Sequence, residues 1–297
     1  IEAQVTTTTQ INEPKLVVHE KSLTLSEKRK TLAKQKKLKK AKKQNLKSIN
    51  PSDTEIKSLL EHYQNGKYDE AEKLAILLTQ QFPEHQFSWG ILGAIFGQAG
   101  RNSESINACQ RVVQLAPQDA EAHNNLGITL KKLGRLEEAE LSYKMAVALK
   151  PDFVVAHYNL GITLKELGKL EESETSYRRA ITLDSDFFMA HYNLGITLKK
   201  MGRLAESVSS YRHAIALKPD HTKAHNNLGV TLQEMGILDE AKASFKQAIA
   251  LKPDYAEAYN NLGIALQELG SFDEAESTYT KVIVLKPDYA EAHSNLG

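Results

Sequence analysis

The sequence predicts an all-α solenoid, a stack of two-helix hairpins with no sheet. Three observations carry this expectation. The 297-residue chain repeats itself every 34 residues, from 120–153 through 154–187, 188–221 and 222–255 to 256–289. Within each unit apolar residues recur at spacings of three and four, the mark of one helical face. Glycine and proline stand at fixed places between those stripes, where they stop helices.

Unit 120–153, AEAHNNLGITLKKLGRLEEAELSYKMAVALKPDF, shows each element in turn. Ala122, Leu126, Leu130 and Leu133 share the buried stripe of a first helix. Gly134 ends it, because glycine accepts the left-handed conformation that follows a helix C-terminus. A second helix begins near Leu136 and buries Ala139, Tyr143, Ala146 and Leu149, until Pro151 closes it. Asp254 and Asp288 follow the equivalent prolines with Glu257 and Glu291 three residues on, a capping-box spacing. Gly127 is expected to face Ala139, and its equivalents a serine such as Ser173, so that paired helix axes stay within ~8–10 Å. One hairpin cannot bury both its faces, so stacking supplies the core. Two looser units, 52–85 and 86–119, come first, and 290–297 opens an eighth. The chain therefore reads as a piece of a longer protein.

These residues resemble the tetratricopeptide repeat (TPR) family. With Ala120 as position 1, Leu126, Gly127, Leu130, Gly134, Ala139, Tyr143, Ala146 and Pro151 stand at its signature positions. The departures are mild. Position 4 is His in most units, with Trp89 and Tyr259 as exceptions, and position 20 is Ser105, Ser173 or Ser207 in three. Unit 52–85 lacks the Leu-Gly pair and reads as an N-terminal cap. The resemblance spans 52–297. It implies a right-handed superhelix of helix-turn-helix repeats, first helices lining the inner wall, with protein or peptide partners.

Charge is divided unevenly along the chain. Residues 28–47 carry eleven Lys or Arg and no acid, whereas 48–297 sum to −8. The expected organisation is a disordered 1–22, a basic arm over 23–50, helical if Thr24 and Glu27 cap it, and the repeat array over 51–297. The arm is either a solvated tail or a contact for nucleic acid or an anionic surface. One cysteine, Cys109, excludes an internal disulfide framework and fits a reducing, cytoplasmic setting. No apolar run approaches the ~18 residues that span a bilayer.

Catalysis finds no support in the residues. There is no phosphate loop, no nucleophile elbow and no paired acid outside the repeat positions, so this chain is expected to be no enzyme and to take no cofactor. His123, His157, His191, His225 and His293 lie one repeat, ~10 Å, apart. Zinc ligands sit ~2 Å from one ion, so these histidines cannot converge and are expected to pack helices.

The candidate binding residues are asparagines at position 6: Asn125, Asn159, Asn193, Asn227, Asn261 and Asn295. Asparagine costs roughly half a kcal/mol inside a helix relative to alanine. Position 6 lies off the buried stripe, on a second stripe with Glu121, Ile128 and Lys132, which should face the groove. A carboxamide offers one acceptor oxygen and two donor hydrogens, the complement of a peptide group. Repeats advance ~10 Å and an extended peptide ~3.3–3.6 Å per residue, so one asparagine meets every third residue or so. The arm of O-linked N-acetylglucosamine transferases carries such a ladder, and the resemblance implies peptide binding here. Recent duplication, or bonds between neighbouring repeats, would equally account for the recurrence.

Lys131, Lys165 and Lys199, with Lys132 and Lys200, make the middle of this face basic, whereas later units carry Gln233, Glu234, Gln267 and Glu268. An acidic peptide would prefer the middle, unless these lysines are simply solvated. TPRs that clamp a terminal carboxylate place a basic residue at position 6, and asparagine there argues against that specialisation. The leading expectation is a peptide-binding scaffold. The alternative is the substrate-recruiting arm of a larger glycosyltransferase, sulfotransferase or methyltransferase.

Overall fold

A computed structural model describes residues 50–296 of the chain. The expectations for 1–22 and for the basic arm, with its Thr24–Glu27 cap, lie outside the described residues. Fifteen α-helices and no strand occur among the described residues, in seven hairpins and one half. They are α1 (Asp53–Gln64) with α2 (Tyr68–Gln81), α3 (Gln86–Gln98) with α4 (Asn102–Leu115), and α5 (Ala120–Lys132) with α6 (Leu136–Leu149). Then follow α7 (Val154–Glu166) with α8 (Leu170–Leu183), α9 (Phe188–Lys200) with α10 (Leu204–Leu217), and α11 (Thr222–Glu234) with α12 (Leu238–Leu251). α13 (Ala256–Glu268) pairs with α14 (Phe272–Leu285), and α15 (Ala290–Leu296) stands last. The fold is an α-solenoid. Among the described residues no helix is long and apolar enough to cross a membrane, and no group of three His, Cys, Asp or Glu is placed to hold a metal ion.

Each hairpin turns on a glycine, as at Gly134 with φ of 72°. The second helix of each hairpin then packs on the first helix of the next. Apart from α3 and α5, first helices of successive repeats also approach one another directly, which puts them on the closely spaced, inner side of the stack.

A ring governs the approach within each pair. A Cβ on Gly127 would stand 2.7 Å from Tyr143 Cε1, closer than any real contact, and Gly161, Gly195, Gly229 and Gly263 meet Tyr177, Tyr211, Phe245 and Tyr279 in the same way. Those five rings are almost wholly buried. The nearest neighbour of the glycine is therefore the position-24 aromatic. The small position-20 residue has a separate use where it is serine: Ser173 and Ser207 each donate to the carbonyl of Gly161 and Gly195, at 2.8 Å.

The capping boxes expected at Asp254 and Asp288 do not form as such. Tyr255, one residue later, is the N-cap of α13 and makes no side-chain cap bond. Its backbone turn instead closes through Tyr255 N–H to Lys252 O at 3.1 Å. The capping box in the structure is Ser52 with Glu55 at the start of α1, and Asp119 caps α5 alone by accepting from Glu121 N and Ala122 N.

The position-4 histidines hold the turns between repeats. His123, His157, His225 and His293 place Nε2 2.8–3.1 Å from the carbonyl of the proline six residues earlier, and His191 does the same to Ser185 O. A carbonyl only accepts, so Nε2 carries a proton in this bond. Trp89 makes the equivalent bond to Pro83 O at 3.0 Å, which explains why Trp replaces His there.

Two outcomes follow from this packing. Gly195→Ala gains helix propensity but drives a methyl into the Tyr211 ring, so urea unfolding followed by circular dichroism will show about 1–2 kcal/mol of lost stability. Acidification will also weaken the array. Burial holds His157, His191 and His221 below their ordinary value of 6.5. His221 Nδ1 additionally accepts from Ala224 N at 3.2 Å to cap α11. The folded state thus binds fewer protons than the unfolded state, so stability is full above pH 6.5 and falls as pH drops through the lowered values. The urea midpoint should decline from pH 7.5 to 5, less steeply in His157→Gln.

Candidate binding face

Position-6 carboxamides lie on the first helices, and most are tied to the repeat before them. Asn159 Nδ2 donates to Asn124 Oδ1 at 3.1 Å, Asn193 Nδ2 to Tyr158 Oη at 3.2 Å, Asn227 Nδ2 to Tyr192 Oη at 3.1 Å, and Asn261 Nδ2 to Asn226 Oδ1 at 3.1 Å. The acceptor is always the position-5 residue one repeat earlier. Asn124 and Asn226 are buried, and Tyr158 and Tyr192 are half-buried. The row thus stitches first helix to first helix. Position 5 varies along the chain, as Asn124, Tyr158, Tyr192, Asn226, Asn260 and Ser294, while position 6 does not. Its Asn/Tyr alternation is a change between two acceptors, and that shared chemistry was the missed signal.

One N–H of each tied carboxamide is used in this way. Asn159, Asn227 and Asn261 are half-buried and accept no hydrogen bond at Oδ1 among the described residues. Asn193 differs. It is 7 % exposed, its Nδ2 also donates to Met189 O at 3.0 Å, and its Oδ1 accepts from Lys165 Nζ at 2.8 Å. Asn125 differs in the opposite sense. Its position-5 counterpart is Gly90, which has no side chain, and the Asn125 carboxamide is exposed without a partner among the described residues. At the far end Asn295 is half-buried, its carbonyl accepts from Gln267 Nε2 at 3.3 Å, and Asn260 Oδ1 is buried without a donor among the described residues.

A hollow opens beside Asn125 between α3 and α5, lined by Gly90, Gly93, Gly97, Cys109, Thr129 and Lys132. Its origin is a missing ring. In the last full repeat the Tyr279 ring crosses Gly263 at position 8 and its hydroxyl donates to Gln267 Oε1 at position 12, 2.7 Å away. In unit 86–119 those three positions are Gly93, Gly97 and Cys109, so the space stays open. The Cys109 thiol is buried, which pushes its pKa up, and lies 3.6 Å from Thr129 Oγ1.

The lysines form a second row, running from position 12 of one repeat to position 13 of the next. Lys131 pairs with Glu166 at 3.0 Å and Lys199 with Glu234 at 2.7 Å, and Gln233 donates to Glu268 at 2.8 Å. Lys131 and Lys199 are therefore offset by acids of the following repeat. Lys165 meets Lys200 in the corresponding place, and no ion pair at either is found among the described residues. Burial, and then the charge of Lys200, lower the Lys165 pKa.

Known proteins support the family reading. The family model described as "TPR repeat" matches residues 93–134, 163–202, 197–236 and 234–270, and "Tetratricopeptide repeat" matches 120–153 and 256–289. The chain belongs to the tetratricopeptide repeat family. Similar solved structures include YrrB, described as a TPR protein with an unusual peptide-binding site, with 24 % identity, TM-score 0.57, 63 % of this chain and 96 % of that one. MamA aligns with 25 % identity and TM-score 0.54 over 56 % of this chain and 97 % of that one. The C-terminal part of a TPR repeat-containing protein from Cytophaga hutchinsonii reaches TM-score 0.67 at 14 % identity, over 81 % of this chain and 99 % of that one. No curated protein sequence matches the chain.

Filling the hollow tests its origin. Cys109→Phe restores the aromatic that Phe245 supplies at the same repeat position, over a glycine already present at Gly93. It should raise stability by about 1 kcal/mol, the usual return of a cavity-filling change. A raised urea midpoint with unchanged helicity is the expected reading.

Proposed function

We propose that this chain is a peptide-binding scaffold whose ligand lies extended across the first helices and is held through its backbone by the asparagine row. One observation carries the reading. Asn159, Asn227 and Asn261 are each anchored by one N–H, yet keep an acceptor oxygen free and partly accessible. An anchored carboxamide loses less rotamer entropy on binding than a free one, which is preorganisation. The free oxygen accepts a peptide N–H and the second amide hydrogen donates to a peptide carbonyl. Backbone recognition of this kind tolerates varied sequence.

The members differ in role. Asn125 is wholly free and offers its full carboxamide. Asn193 is saturated, so its effect on a ligand passes through Lys165. Asn295 extends the row at the end of the described helices. Lys131 and Lys199, already paired, contribute to the polarity of the face more than to its net charge. YrrB, which shares the fold, carries a peptide-binding site according to its description, and this agrees with the reading.

Asn125 provides the cleanest test, since its side chain makes no bond that the fold uses. Asn125→Ala should hold or slightly raise the urea midpoint, alanine being the better helix former, and reduce recovery of peptides from a randomised nonapeptide pool by the immobilised full chain. Adding Asn159→Ala and Asn227→Ala should lower recovery about tenfold or more, each peptide hydrogen bond being worth about 0.5–1.5 kcal/mol. Undiminished recovery by a folded triple variant refutes the backbone-gripping role.

A further inference from the structure

Among the three position-12 lysines the second row breaks once. Wherever position 12 is Lys131 or Lys199, position 13 of the next repeat is a glutamate within ion-pair distance. At Lys165 the residue in that place is Lys200. Lys165 turns aside and gives its ammonium to Asn193 Oδ1 at 2.8 Å. Asn193 is itself held by Tyr158 Oη and Met189 O, so the oxygen that receives Lys165 is fixed. Lys200 is exposed and lines an open hollow between α9 and α11 with Ile196, Asn227 and Val230. The other charges facing this point are Lys131 and Glu166, which pair with each other, and Lys199 and Glu234, which do likewise. In the middle of the row the unpaired positive charge therefore sits at Lys165 and Lys200, while Lys132, opposite Gly97, carries another at its start.

Resting on the peptide reading above, we propose that Lys165 and Lys200 together seat one carboxylate side chain, aspartate or glutamate, of the bound peptide. In both flanking repeats the partner of the position-12 lysine is a carboxylate. The ligand supplies here the one that the chain omits. A neutral Asn193 oxygen is a weaker partner for an ammonium than a carboxylate is, so Lys165 exchanges one for the other when an acid arrives. The position also sets register: an acid in the peptide fixes which of its residues meet Asn159 and Asn227 on either side. Backbone contacts along the asparagine row cannot supply that register, because every peptide unit looks alike to them.

A randomised nonapeptide library displayed on phage, selected on the full 297-residue chain, tests the inference. Captured peptides should be enriched about three- to fivefold in Asp or Glu at a single position, the scale of a half-exposed ion pair. Lys200→Glu closes the gap in the way that Glu166 and Glu234 do in their own repeats, so the fold should tolerate it. It should abolish the acid enrichment. Lys281→Glu, an equal charge change on α14, should leave the enrichment intact. If Lys200→Glu lowers helicity, Lys200→Gln reports instead, with the same loss expected. Enrichment that persists in either folded variant overturns the proposal. So do captured peptides with no preference for acids, an outcome that leaves the peptide scaffold standing. Absence of any capture by the unmodified chain removes both.

Discussion

The contact between a position-8 glycine and a position-24 ring is the constraint on which this array depends. Within one hairpin it lets the first helix rest directly on an aromatic face, with no Cβ in between. Five consecutive repeats use it with nearly the same geometry, from Gly127 on Tyr143 to Gly263 on Tyr279. Because the pair distance is set identically each time, each hairpin presents the same surface to the next. That regularity is what brings position 6 of one repeat beside position 5 of the preceding one. Irregular hairpins would scatter those side chains and there would be no row. The exception supports the rule. Where Cys109 replaces the ring, α3 and α5 are the loosest neighbouring first helices, a hollow opens, and the first asparagine has nothing to bond.

Much of this was readable in the chain, because a repeat samples the same physics several times. Gly134 and Pro151 mark helix ends through φ and a missing N–H, which are local properties, and α5 and α6 end where they predict. Other features escaped because they depend on a partner in a neighbouring repeat, 28 or 35 residues away. That Asn193 would be saturated follows from Lys165 and Tyr158 in the preceding repeat together with the local Met189 carbonyl, and the first two are not identifiable from the asparagine's own surroundings. The failed capping boxes have a different cause. Asp254 and Glu257 stand at the right spacing, but helix α13 starts one residue later than a box requires, since the turn is closed through the Tyr255 backbone. Spacing alone could not locate that start.

Structural and binding uses of the same asparagine are usually treated as rivals. A carboxamide has capacity for both. It offers two donors and an oxygen with two lone pairs, and the bond to position 5 consumes a single donor. Each tie between repeats adds a modest amount to the interface on which a solenoid's stability rests. It also orients the remaining oxygen and hydrogen. Duplication therefore explains how the residue came to be repeated, and stacking explains why it is not neutral where it stands. Neither excludes a ligand from the groups left over. The Asn–Tyr alternation at position 5 fits this division, since either acceptor anchors the amide while changing the local width and polarity of the face.

A solenoid built from near-identical units has difficulty telling one repeat from another, and so does its ligand. Uniform backbone contacts give affinity without register, as with any regular row of amides. Register has to come from places where the repetition fails. Two stand out in this array among the described residues: the ringless hollow at Gly93, Gly97 and Cys109, and the like-charged step from Lys165 to Lys200. The first opens between α3 and α5 over Cys109 of α4, and the second steps from α7 to α9. The first is a gap in shape and the second is a gap in charge. Specificity in such a protein is thus written in its departures from the repeat, while the repeat itself supplies the rigid spacing that makes those departures readable.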